Sequence, residues 1–263
     1  MKNKIITSTP TLTTTSEASG DASGLYKSTA TNTGNPTYYF RGNVENNYVS
    51  FAGFTWRIVR INEDGTIRMI MANGINNDTT YQFNSNYDNY TYMYYTNSQA
   101  KTTLESWYQT NIGSKSDLAK NVASGNYYCE QAKVKYSSSL TSGSATMTTY
   151  NKYTPDFKCS SDGNGKGVVN ASIGLLSYDE VVYVGGYYQY KSNYYLYNNT
   201  NFWTMSPNGF TSGYSAVWFV YPRGNIMSNS VKGTSCLRPV LNLTADTQIS
   251  DGDGTKENPF IVE

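Results

Sequence analysis

The stretch that most constrains this chain runs from Asn201 to Leu243, NFWTMSPNGFTSGYSAVWFVYPRGNIMSNSVKGTSCLRPVLNL. It reads as four short strands joined by turns. Phe202–Met205 is apolar and β-prone, and Ser206-Pro207-Asn208-Gly209 breaks it. Ala216–Tyr221 follows, nearly all β-branched or aromatic. Pro222-Arg223-Gly224-Asn225 turns the chain into Ile226–Val231, and Lys232-Gly233 turns it again into Leu237–Leu243. Leu237, Leu241 and Leu243 share one face by the period of two, and Pro239 among them predicts an edge or a bulge.

Residues 1–24 are Thr/Ser-rich, with almost no apolar content after Leu12. They cannot bury enough surface to offset chain entropy and read as a linker or tail, leaving 25–263 as a single domain. Tyr38–Arg41 is a short strand, and Tyr48–Ile61 is a long β-rich run with Gly53 as a bulge or bend. Asn62-Glu63-Asp64-Gly65 turns it back into Thr66–Met71, where Ile67, Met69 and Met71 share a face and Arg68 takes the other. After an Asn- and Tyr-dense loop, Asn97/Ser98 caps a helix to about Ile112, with Ala100, Leu104, Trp107 and Tyr108 on one face. Ser177-Tyr178-Asp179-Glu180 is a capping box opening a short helix that Gly185-Gly186 stops. Capping accounts for Glu180 without a catalytic role. Tyr187–Asn201 is almost all Tyr, Asn and Ser, an aromatic-polar surface rather than a periodic core element. Phe260-Ile261-Val262 is the final strand, expected to dock on Tyr38–Arg41 or Tyr48–Ile61.

The 263 residues include no histidine, and the net charge is +1. Without histidine the usual Ser or Cys triad has no base, and the commonest transition-metal ligand is missing. A charge near zero gives no electrostatic case for nucleic acid or an anionic membrane. No apolar run nears the ~20 residues of a membrane span, so direct membrane insertion is not expected. The opening MKNKIITSTPTL has lysines but no apolar h-region, unlike a signal peptide. There is no phosphate-cradling glycine loop and no C-x-x-C pair. Asp251-Gly252-Asp253-Gly254 and Asp162-Gly163-Asn164-Gly165 offer oxygens but lack the twelfth-position Glu of an EF-hand loop, and read as turns. No metal and no cofactor is expected. Cys129 and Cys159 bracket a Ser/Thr-rich excursion, residues 137–149, and both sit among polar neighbours. A disulfide between them would close a loop of about 30 residues, a constraint of about 3–4 kcal/mol. Two reduced thiols are the alternative, and Cys236 is expected to be unpaired.

The succession FWTMSP, AVWFVYPRGNI and CLRPVLNL resembles the C-terminal half of C-type-lectin-fold domains, as in surface proteins of Gram-positive gut bacteria. It is similar, more distantly, to the variable proteins of diversity-generating retroelements, which end in a comparable Arg-Pro-Val strand, and to the formylglycine-generating-enzyme group. The resemblance spans about Leu25 to Glu263. It implies an α+β domain with a small, twisted, mostly antiparallel sheet, two flanking helices and long ordered loops. It also implies a ligand-facing side within residues 187–235, diversified in the retroelement case. The paired active-site cysteines of the formylglycine group are missing, since only Cys236 lies in that region, and so is the Glu-Pro-Asn sugar-binding motif of true lectins. No enzymatic activity is therefore expected.

The composition of that side agrees with binding, since Tyr, Ser, Gly and Asn dominate antibody binding loops. The expected ligand contacts are Tyr194, Tyr195, Asn208, Phe210, Tyr214, Trp218, Tyr221 and Arg223. Strand alternation leaves a second reading open for Trp218, in which it faces the core with Ala216 and Val220 while Phe219 and Tyr221 face out. The expected role is an extracellular or cell-surface adhesin or receptor-binding protein, or a virion-surface one, meeting a protein or glycan ligand on another cell. A purely structural subunit of a pilus or virion is the alternative. Arg238 is expected to be structural, its guanidinium held by backbone carbonyls or a carboxylate.

Overall fold

The computed structural model describes residues 1–9, 11–13, 23–131, 155–159, 167–189 and 191–263. The Ser/Thr-rich excursion at 137–149 and the Asp162–Gly165 turn lie outside the described residues, as does 14–22 of the expected tail. After a helix at Lys2–Ser8 come strands β1 (Thr11–Thr13), β2 (Gly24–Ser28), β3 (Thr37–Arg41), β4 (Tyr48–Phe51), β5 (Phe54–Ile61) and β6 (Ile67–Met71). Next are β7 (Thr80–Gln82), a helix at Gln99–Tyr108, β8 (Val122–Ala123), β9 (Gly125–Cys129), β10 (Val168–Ala171) and a helix at Tyr178–Val184. The C-terminal strands are β11 (Phe202–Thr211), β12 (Tyr214–Val220), β13 (Ile226–Ser230), β14 (Thr234–Cys236), β15 (Val240–Leu243), β16 (Ile249–Asp251) and β17 (Phe260–Val262).

This is a mixed α+β fold in which strands dominate. Ten strands form one curled sheet, in the order β1-β2-β3-β5-β4-β17-β16, with β6 also on β5 and β15 and β8 continuing beyond it. The sheet is larger than the small one the resemblance implies. Its hub is β5: β4 pairs along its first half, β3 at its end, and β6 along the opposite edge. The long run expected to bend at Gly53 is in fact a hairpin. Ala52 (φ 55°) and Gly53 (φ 81°) are both left-handed, the backbone that two-residue hairpin turns require. β17 lies parallel to β4, Phe260 beside Val49, which settles the final strand on the Tyr48 hairpin.

A second, five-stranded sheet runs β13-β12-β11-β14-β7. The break expected at Ser206–Gly209 is absent. β11 runs through it, and the pairing with β12 slips on either side of Pro207, which has no N–H to give the ladder. Leu237–Leu243 is not one strand either. β14 belongs to the second sheet and β15 to the first, and the chain changes sheets across Leu237-Arg238-Pro239. One apolar core, from Trp56 and Ile58 through Leu104 and Val181 to Trp203, Trp218 and Leu241, fills the space between the sheets and helices.

The N-terminal residues differ from the expected tail where they are described. Ile5 on the Lys2–Ser8 helix is fully buried in that core, and β1 pairs with β2. The polar average of residues 1–24 concealed Ile5, with Met1 and Ile6 packed partly buried beside the same core. The Gln99–Tyr108 helix and its capping by the Ser98 hydroxyl match expectation, and its apolar face is buried. The Ser177/Glu180 capping box is formed in both directions.

Candidate functional site

The second sheet carries most of the residues expected to bind, and its packing decides which of them reach solvent. Along β12, Ala216, Trp218 and Val220 point one way, and Trp218 lies 5.2 Å from the Tyr178 ring of the capping-box helix. Val217 and Phe219 point the other way, Phe219 against Trp203 at 5.8 Å. The loop ahead of the Gln99–Tyr108 helix lies beside this ribbon: Ser215 donates its N–H to the Tyr87 carbonyl at 2.7 Å and its hydroxyl to that of Asn89 at 2.5 Å. Both faces of β12 are therefore covered over most of its length, and Trp218 takes its core-facing reading.

Tyr194, Tyr195, Asn208 and Trp218 are buried, and Phe210 is half-buried. Tyr194 donates its hydroxyl to the Gly224 carbonyl at 2.8 Å, and Tyr195 lies beneath the Arg57 guanidinium at 4.9 Å. Burial pushes both phenols well above their ordinary range, despite nearby arginines that pull the other way. The physical reason is the apolar body of tyrosine. With 26 of them in the chain, many must enter the core, carrying their hydroxyls to backbone partners where they can. Tyr214, Tyr221 and Arg223 are exposed. They do not form one patch. Tyr214 begins β12 and Tyr221 follows its end, about 23 Å apart at the rise of a strand.

What gathers at one end is narrower and includes residues that sequence reasoning did not select. Tyr187, Tyr221 and Met227 are each 40% exposed. Tyr187 bridges to Asn225, and its carbonyl accepts the Ile226 N–H at 2.8 Å. Its ring lies 4.4 Å from that of Tyr188. Met227 stands opposite Phe219, whose ring meets Tyr221 edge-on at 6.1 Å. Arg223 occupies the turn between them. That turn is held by Gly224 (φ 83°), where an added Cβ would fall 1.9 Å from the Lys191 carbonyl oxygen. Tyr187 had one signal in the sequence, its position directly after the Gly185-Gly186 helix stop. Met227 had none.

A second feature is a cavity of about 240 Å³, walled by Arg60, Asn62, Arg68, Phe157, Glu180 and the Cys129–Cys159 disulfide. The disulfide spans a Cα–Cα distance of 5.7 Å and ties β9 to segment 155–159. Cys236 is free and buried, donating to the Asp78 carbonyl at 3.1 Å. Both cysteine expectations agree with the structure. Glu180 does more than cap. It forms an ion pair with the Nε of Arg68, accepts from Arg68 Nη2 at 3.1 Å, and meets Arg60 Nε at 3.3 Å. Burial by itself would raise its carboxyl, but Arg68, Arg60 and the Ser177 N–H together hold it below the usual carboxylate range. Arg60 lies over the Phe157 ring at 4.7 Å, and Phe157 stacks on Tyr183 at 3.9 Å. A carboxylate clamped between two arginines is a poor proton acceptor, so this cluster reads as a brace.

Buried arginines recur as backbone clamps. Arg41 donates to the Val182 and Tyr183 carbonyls, both at 2.8 Å, at the end of the capping-box helix. Arg238 donates to Met71 and Leu196 carbonyls at 3.0 and 2.7 Å, with its guanidinium 4.8 Å above Phe202. That is the structural role expected of it. Desolvation brings its pKa down to about 10. In the Asp251–Thr255 turn, Asp253 accepts the Thr255 N–H and hydroxyl at 2.9 and 2.8 Å. Among the described residues no three His, Cys, Asp or Glu side chains converge as metal ligands. No helix among the described residues is long and apolar enough to cross a membrane. No family model matches this chain, and neither do any curated protein or solved structure.

Proposed function

We propose that this chain is an extracellular ligand-binding module, an adhesin or receptor-binding protein, built on a C-type-lectin-like scaffold and without catalytic activity of its own. The observation that carries the reading is the grouping of Tyr187, Tyr221 and Met227 beside Arg223, on a turn that Gly224 holds rigid. Exposed aromatic and Met side chains beside an arginine are the composition of an interface core. Met227 lies on a sheet strand, and Tyr187 and Tyr221 are hydrogen-bonded by their backbones to the turn that leads into it, so binding would cost little ordering. The partner is a protein or glycan on another cell surface. The architecture is supported by the capping-box helix ahead of the C-terminal strands and by the pairing of an early strand with the last. An extracellular setting agrees with the disulfide.

The test is a protein and glycan array probed with the purified chain, followed by Tyr187→Ala, Tyr221→Ala and Met227→Ala. Each variant should keep its melting temperature within a few degrees, and at a hot spot binding should weaken by about 2 kcal/mol or more. Full affinity in all three variants would refute the site. A structural-subunit reading is favoured by one observation, that β13 is the outer strand of its sheet with Ser228 exposed. Concentration-dependent self-association lost on Ser228→Pro would support that reading instead.

A further inference from the structure

At the opposite edge of the same sheet, beyond β7, lies a groove that owes nothing to the Tyr187–Tyr221 end. Four inter-strand spacings separate the two edges, about 19 Å. Two cavities of about 510 and 480 Å³ share Ile75, Asn76, Trp107 and Asn111 as walls and so run together. Phe54 at one end and Tyr81 at the other are half-buried and offer ring surface, while Trp107, 9% exposed with its ring packed 5.0 Å from that of Phe54, borders both with its edge. Among the described residues none that lines either cavity is charged, and asparagine and threonine supply most of the polar groups. This contrasts with the Arg60–Glu180 cavity, where charge dominates.

The backbone at this groove is unusual. Asn76, Asn77 and Asp78 are three successive left-handed residues, at φ 51°, 57° and 60°. That backbone is unfavourable for an ordinary side chain, and Asn and Asp are the non-glycine types that tolerate it. The Asp78 carboxylate locks the turn by accepting the Gly74 N–H at 2.5 Å. The outcome is that Asn76 and Asn77 stand exposed on the groove wall. Asn76 is partly used, donating to the Tyr81 hydroxyl at 2.7 Å, and Asn111 donates to the Trp107 carbonyl at 2.8 Å. Among the described residues the Asn77 amide, the Asn111 side-chain oxygen and the Trp107 indole N–H make no hydrogen bond. Strain held in place at a cleft points to a functional constraint.

We infer that this groove binds a neutral oligosaccharide. The chemistry fits that class. A sugar ring offers an apolar C–H face, which suits the negative face of an aromatic ring, and a rim of hydroxyls that both donate and accept. An asparagine amide carries a donor and an acceptor side by side and can engage two neighbouring hydroxyls. The lack of charge in the lining gives no counter-ion to an acidic ligand and imposes no desolvation of an ion on a neutral one. The two cavities together suit a chain of several sugars rather than a single ring.

The experiment uses the full chain, labelled with ¹⁵N, whose four tryptophans give separate indole signals. Neutral tetrasaccharides of gluco, manno, galacto and N-acetylglucosamine configuration are titrated, with tetragalacturonate as the acidic comparison. At least one neutral tetrasaccharide should shift the Trp107 indole saturably, with a Kd at or below about 1 mM. Asn77→Gly removes the amide while keeping the left-handed backbone, and Asn111→Ala removes the second contact. Each should weaken that binding at least about fivefold, roughly 1 kcal/mol by the usual conversion, with the other indole signals unmoved. Tyr221→Ala should leave it unchanged, which separates this site from the aromatic end. No shift from any neutral sugar at about 10 mM, a threshold far weaker than a specific site, would overturn the inference. So would binding of tetragalacturonate alone, or binding indifferent to both variants.

Discussion

Replacing Glu180 with glutamine should destabilise the protein by about 3 kcal/mol at pH 7, the low end of the range for breaking a buried ion pair. The structure sets that figure through its two arginines. The Arg68 side chain is 1% exposed, so it bears most of the loss of its counter-charge. Arg60 is 13% exposed and can recover part of its hydration. Glutamine also keeps the cap, since its side-chain oxygen can still accept the Ser177 N–H. The same reasoning fixes a pH dependence. Because the folded carboxyl titrates below a free glutamate, its contribution is complete above the pKa of the unfolded chain's glutamate. It fades as pH falls through the folded pKa. Guanidinium unfolding at pH 7 and across the acid range should show a steep loss for the parent and a flatter one for Glu180→Gln. The pair Arg68→Met/Glu180→Gln should regain part of the loss, since it removes the Arg68 charge along with the carboxylate, keeps the cap, and leaves only the partly exposed Arg60 without its partner. A cost below about 1 kcal/mol at pH 7, or acid curves of equal slope, would refute the brace.

Reduction of Cys129–Cys159 should lower stability by about 3–4 kcal/mol, and non-reducing peptide mapping should find these two linked with Cys236 alkylated only after denaturation. Arg238→Ala leaves the Met71 and Leu196 carbonyls without their donor and should cost about 2–4 kcal/mol, read by thermal melting. Trp218→Ala should cost about 3–5 kcal/mol, whereas Tyr221→Ala, at an exposed position, should stay within about 0.5 kcal/mol. Gly224→Ala places a Cβ against the Lys191 carbonyl in a left-handed turn, and should lower the melting temperature.

The features legible in the sequence were those written within a few residues of one another. The Ser177/Glu180 box, the Ser98 cap, the Asn62–Gly65 turn and the helix face of Leu104 and Trp107 are all local, and all are present. The cysteine pairing was legible because Cys129 and Cys159 both sit among polar neighbours and bracket a Ser/Thr-rich excursion. Arg60 and Arg68 were not legible as Glu180's partners. Each occupies a mostly apolar strand, and only the pairing of β5 with β6 under the capping-box helix brings them together. Composition pointed to tyrosines as binders, but it carries no information on which rings the core will claim. Tyr194 and Tyr195 went inside, while Tyr187 and Tyr221 stayed out. The change of sheet at Leu237–Pro239 was visible only as a proline out of place.

The pairing of late strands with early ones has a consequence for how the chain acquires its shape. Phe260 finds Val49, Val240 finds Ile70, and Cys236 finds Thr80, each late strand closing on one made long before it. Loops of that length are costly to close and reward the chain only once both strands meet. On the ribosome, β4 would wait with an unpaired edge until β17 had emerged, and β6 until β15 had. Folding is thus committed late, and the most aggregation-exposed interval falls in synthesis rather than in the finished protein.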